Sequence, residues 1–149
     1  MIISYANLAA SDRLGQHCSM ENNESPCRVL VVDDDKIVRD YIKSLLTSLG
    51  AVVVGEAENG DDAVRAFIEF NPDLTFLDIQ MPVKNGKDAL EEILDNDSSA
   101  HVVMLTSVVD MAIADACIEL GALSFIRKQA ASNILRIMVK AQLDSFKSD

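Results

Sequence analysis

A chain of 149 residues with 49% apolar and 25% charged side chains has the length and balance of one globular domain rather than of a disordered or fibrous protein. Thirteen Lys and Arg against 24 Asp and Glu leave a formal charge of −11, which excludes a general phosphate-neutralising coat for nucleic acid, and 5% aromatics offer little for base stacking. The charge-free stretch from Ser98 to Val109 is too short for a membrane span of about 20 apolar residues, so no membrane insertion is expected. Cys18, Cys27 and Cys117 form no CxxC pair and are odd in number, which fits a reducing, cytoplasmic setting, and no export signal precedes Arg13.

Residues 1–27 are rich in Ser and Asn and hold no apolar period, so they read as a flexible extension closed by Pro26, ahead of a domain over 28–147. From Arg28 onward, apolar β-branched runs alternate with helical patterns, the sequence form of βα units around a parallel sheet buried on both faces. Strands are expected at Val29–Val32, Ala51–Ala57, Leu74–Leu77, His101–Leu105 and Leu123–Ile126. Ile37, Val38, Tyr41, Ile42, Leu45, Leu46 and Leu49 recur at helical period between the first two strands, and Gly50 stops that helix. Asp61–Phe70, Lys87–Leu94, Met111–Leu120 and Ser132–Phe146 supply four more helices. Five strands and five helices give a doubly wound α/β fold. Charge is uneven along it: residues 28–99 carry 16 acidic and 7 basic side chains, whereas the last helical region, 127–149, is net basic.

In such a sheet ligands bind beyond the carboxyl ends of the strands. There the expected strands end in Asp33, Asp34 and Asp35, in Asp78, in Thr106 and Ser107, and in Arg127 and Lys128. Asp35 reads as a helix cap. If the first and third strands are neighbours, Asp33 or Asp34 and Asp78 crowd together, and their repulsion calls for a cation. Mg²⁺ fits a shell of carboxylates, a backbone carbonyl and waters. Three carboxylates, Mg²⁺ and Lys128 sum to zero charge, and the set could accept a phosphoryl group on Asp78, with Lys128 and the Thr106 hydroxyl holding its oxygens.

Val31-Val32-Asp33-Asp34-Asp35, Leu77-Asp78-Ile79-Gln80-Met81-Pro82 with Gly86, Leu105-Thr106-Ser107, and Gly121-Ala122 with Phe125-Ile126-Arg127-Lys128 together resemble the CheY-like receiver domain of two-component response regulators. The resemblance implies a flavodoxin-like (βα)5 fold of strand order 2-1-3-4-5. It makes Asp78 the phosphoacceptor, Asp33 and Asp34 the Mg²⁺-binding acidic pair, and Gln80 the donor of a backbone carbonyl to the metal. Thr106 and Lys128 would hold the phosphoryl group, and Thr106 and Phe125 would act as the switch. It also implies a sensor histidine kinase or phosphotransfer protein as donor. A downstream protein would dock on the face of helix four, strand five and helix five, or a phosphorylation-dependent homodimer would form. The chain is thus expected to be a stand-alone receiver and not an enzyme, with no output domain and no direct contact with nucleic acid.

Two departures stand out. Gln129 occupies the place where receivers usually carry a proline after a cis bond, so the loop after Lys128 is expected to be reshaped while Lys128 still reaches the pocket. Val108, two residues after Thr106, cannot position a water, which predicts a long-lived phosphorylated form. Two other readings compete. An aspartyl-phosphate phosphatase would need a second acid where Gln80 stands, and a receiver-fold module that is never phosphorylated would leave Asp33, Asp34, Asp78, Thr106 and Lys128 without purpose.

Overall fold

The computed structural model of the chain describes residues 3–4, 25–107, 111–130 and 132–148. In chain order these form β1 (Ile3–Ser4), β2 (Arg28–Val32), α1 (Lys36–Ser48), β3 (Val52–Ala57), α2 (Gly60–Phe70), β4 (Leu74–Asp78), α3 (Gly86–Asn96), β5 (Val102–Thr106), α4 (Met111–Leu120), β6 (Ser124–Arg127) and α5 (Ser132–Ser148). The sheet order is β1-β3-β2-β4-β5-β6. The last five strands run parallel, so the five expected strands take the expected order 2-1-3-4-5.

β2, β4 and β5 are buried on both faces of the sheet. Val29 and Val31 of β2 enter one core with Ile42, Leu45 and Leu46 of α1 and Leu135, Val139 and Leu143 of α5. Leu30 and Val32 enter the other, against Phe67 and Phe70 of α2, Leu90 and Ile93 of α3, and Ala114 and Cys117 of α4. This alternation, with period two, is what places two helices on one face and three on the other.

The helix ends follow local chemistry. The Asp35 carboxylate accepts from the Ile37 N–H at 2.9 Å and caps α1, as its position suggested. Gly50 follows α1 at φ +90°, and Asn71 leaves α2 at φ 45°. Asn59 and Asn85 cap α2 and α3 by accepting from Asp62 and Asp88.

Two findings differ from the sequence reading. The first is β1, a sixth strand within the segment read as an extension, antiparallel to β3 with Ile3 opposite Glu56 and Ser4 opposite Gly55. Edge pairing uses main-chain groups alone, so two residues can supply it without any apolar period. The second is the apolar face of α1, which is only partly core: Ile37 is 80% exposed and Tyr41 40%, while Arg39 is buried.

Candidate functional site

The carboxyl ends of β2, β4, β5 and β6 meet at one edge, and the register of the parallel strands decides which side chains do so. β2 lies beside β4 with Val32 opposite Leu77, so Asp33 and Asp78 follow as neighbours. Asp33, Asp34 and Asp78 each offer a carboxylate oxygen, all within 4.8 Å of one another, with Asp33 and Asp78 buried and Asp34 exposed. Lys128 comes from just beyond β6, its own N–H held by the Thr106 carbonyl at 2.9 Å. Its ammonium donates to Asp33 Oδ2 at 3.2 Å and to Asp78 Oδ1 at 3.1 Å.

Lys128 therefore reaches the pocket despite Gln129. The described residues hold no cis peptide bond, and the Ala130 N–H closes a four-residue turn onto the Arg127 carbonyl at 3.2 Å. Gln129 sits third in that turn, where a trans proline is disfavoured, so an amide-bearing residue suits this loop.

The electrostatics follow from crowding. Burial raises the Asp78 carboxyl, the Asp33 charge raises it further, and Lys128 pulls it back only in part, leaving it pushed up to about 7. Burial also lifts Asp33, against the Asp35 N–H and Lys128, which favour its charge. Burial alone would lower Lys128, but Asp78 and Asp33 outweigh it and hold the ammonium above its ordinary value. One cation is thus shared between two buried carboxyl groups. The other Asp78 oxygen, Oδ2, is buried without a hydrogen-bond partner. An orphaned anionic oxygen beside two more carboxylates is what a hard divalent cation such as Mg²⁺ would satisfy, so the residues present fit one.

The remaining sequence-predicted residues fall around this centre. Gln80 lies two residues beyond Asp78 and its side chain is exposed. Thr106 is fully buried, and its hydroxyl donates to the Ser107 carbonyl at 2.9 Å. Phe125 is half-buried against the α2–α4 side of the core and pairs with Met104 of β5. Val108 lies outside the described residues.

Close main-chain packing positions Asp78 from below. The Gly86 N–H donates to the Ile79 carbonyl at 2.7 Å, and a Cβ on Gly86 would lie 2.0 Å from the Asp78 carbonyl oxygen. Sequence reasoning missed Arg39 and Glu56, which meet beneath Asp33: Arg39 donates to Glu56 at 2.9 Å and to the Asp33 carbonyl at 2.7 Å. The signal was available. Arg39 shares a helical stripe with Ile42 and Leu46, and Glu56 interrupts an otherwise apolar strand.

A doubly wound sheet with an acidic cluster and a lysine at its carboxyl edge defines a CheY-like receiver. The family model described as "Response regulator receiver domain" matches residues 29–140, and the chain belongs to that family. Protein CcdB of Bacillus subtilis is 45% identical over 101 residues, covering 68% of this chain and 84% of that protein. Chemotaxis protein CheY of Thermotoga maritima is 40% identical with the same coverage. Among solved structures, the CheX-CheY-BeF3-Mg²⁺ complex from Borrelia burgdorferi aligns at TM-score 0.73 and 30% identity, covering 80% of this chain and 88% of that one. The chain is a receiver domain of the kind found in two-component and chemotaxis signalling.

Proposed function

We propose that this receiver accepts a phosphoryl group on Asp78 from a phosphohistidine of a sensor kinase or phosphotransfer protein. The observation that carries the reading is the Lys128 bridge to Asp33 and Asp78 at 3.2 and 3.1 Å, beside an Asp78 oxygen that has no hydrogen-bond partner. In the transfer, a carboxylate oxygen of Asp78 forms a bond to phosphorus in line with the breaking P–N bond, and the departing histidine nitrogen takes up a proton. Lys128 neutralises oxygen charge on the moving group. The Thr106 hydroxyl, on rotating away from Ser107, donates to one of its oxygens.

Asp33, Asp34, Asp78 and the Gln80 main-chain carbonyl would hold Mg²⁺, which when bound supplies positive charge to both the carboxylates and the phosphoryl oxygens. Incubation with acetyl phosphate and Mg²⁺ followed by intact mass tests the reading. One added phosphoryl group, absent in Asp78→Asn, is expected, and no gain in the unaltered chain would overturn it.

None of the described helices is long and apolar enough to cross a membrane. The downstream partner docks on α4, β6 and α5, where Ile113 and Ile118 of α4 and Leu123, just before β6, are exposed and Phe125 is half-buried. Self-association on that face is the alternative route to output.

A further inference from the structure

Every hydrogen-bonding group of Asp33 is occupied. Its N–H donates to the Ala57 carbonyl at 3.1 Å, Oδ1 accepts from the Asp35 N–H at 2.9 Å, and Oδ2 accepts from Lys128 at 3.2 Å. Its carbonyl accepts from Arg39 Nη1 at 2.7 Å. Three of these partners come from the main chain or from the site itself. The fourth reaches in from α1 and is an ion.

Arg39 is 6% exposed and Glu56 2%. Burying such a pair costs desolvation that its attraction seldom repays in full, and well-packed apolar residues of similar volume usually serve stability as well or better. Nor does Arg39 help its helix. It lies in the first turn of α1, where a positive charge opposes the helix dipole that the Asp35 cap complements. Neither fold stability nor helix stability accounts for the pair, whereas the carbonyl of Asp33 does. Glu56 reaches Arg39 from β3, opposite Val31 two residues before Asp33, and Lys43 braces the second Glu56 oxygen at 2.6 Å.

We propose that Arg39 is a positioning residue for the acidic pocket: anchored by Glu56, it holds the Asp33 main chain and so sets how tightly the pocket takes a divalent cation. This rests on the phosphoacceptor reading above. Outer partners that orient a metal ligand typically change affinity by 10- to 100-fold when removed.

The test compares the unaltered chain with Arg39→Lys and with Arg39→Met/Glu56→Leu, titrating Mg²⁺ by calorimetry and recording each thermal midpoint. The double variant leaves no buried ion stranded, because Lys43 keeps Asp40 at 3.3 Å. It is expected to stay folded with a midpoint near the unaltered one, relief from burying the ion pair offsetting the Asp33 carbonyl left without a donor, while binding Mg²⁺ about tenfold more weakly. Arg39→Lys should fall between, since one ammonium cannot reproduce the two-pronged guanidinium geometry. A purely structural role would make affinity follow the midpoint through the series. Unchanged Mg²⁺ affinity in the folded double variant, or loss of folding in it, would overturn the inference alone. Failure of the unaltered chain to bind Mg²⁺ would overturn the phosphoacceptor reading and this inference together.

Discussion

Asp78 is ionised at neutral pH only against its surroundings. Burial and then the Asp33 charge push it up to about 7 in the folded chain, from an ordinary 3.8. Below about pH 4 both folded and unfolded chains hold the proton, and the group does not distinguish them. Between about 4 and 7 the folded chain holds a proton that the unfolded chain has lost, so stability falls as pH rises through that window. With divalent cations removed, calorimetric melts should show this decline, and Asp78→Asn should flatten it and melt higher than the unaltered chain at pH 8. An equal slope in both proteins would refute the assignment. Val83 offers a second case of local cost. It is 80% exposed at φ 71°, and the Lys84 N–H donates to the Pro82 carbonyl at 2.8 Å, which makes a three-residue turn that a β-branched side chain resists. Relieving strain of about 1–3 kcal/mol, less the added freedom of glycine in the unfolded chain, Val83→Gly should stabilise by about 1 kcal/mol. The denaturant midpoint should rise at constant slope, and a fall would show the turn to be unstrained.

Among the elements, α3 matters most to the site because its first residue packs on the main chain of Asp78, the proposed phosphoacceptor. A methyl group on Gly86 would need the space of the Asp78 carbonyl oxygen. Gly86→Ala should therefore cost about 1–3 kcal/mol in denaturant unfolding and slow phosphorylation by acetyl phosphate beyond any loss of folded protein; a full rate in the folded fraction would argue against it. The elements themselves were legible in the sequence, because buried parallel strands read as apolar runs and the helices carry caps and stops. Asp35 as a cap, Gly50 as a stop and the acidic edge were all readable from local chemistry. What escaped was long-range. Arg39 finds Glu56 across 17 residues, and main-chain pairing of Ile3 and Ser4 leaves no mark in side-chain pattern. Ile37 shows the converse error: helical period marks an apolar face, yet Ile37 in the first turn of α1 is 80% exposed.

For the molecule as a whole, the two cores fix the sheet, yet its acidic edge remains an unresolved repulsion within a chain of formal charge −11. A divalent cation would bind the folded pocket and not the unfolded chain, where Asp33, Asp34 and Asp78 separate. Its effect on stability is then set by concentration relative to Kd, about 2.7 kcal/mol at a hundredfold excess over Kd. For a domain of this size that corresponds to a rise of roughly 5–11 °C in Tm. The gain should also depend on pH. Below about 7 the cation must displace the proton that Asp78 holds, and above it the carboxylate is already ionised, so the Mg²⁺-induced shift should grow from pH 5.5 to pH 8. Asp78→Asn should lose most of the shift and all of the part that tracks the Asp78 proton, because its side chain is neutral at both values. Melts with Mg²⁺ and with EDTA at the two pH values check this. A shift of equal size at both, or one that survives intact in Asp78→Asn, would place the cation elsewhere than among these three acids.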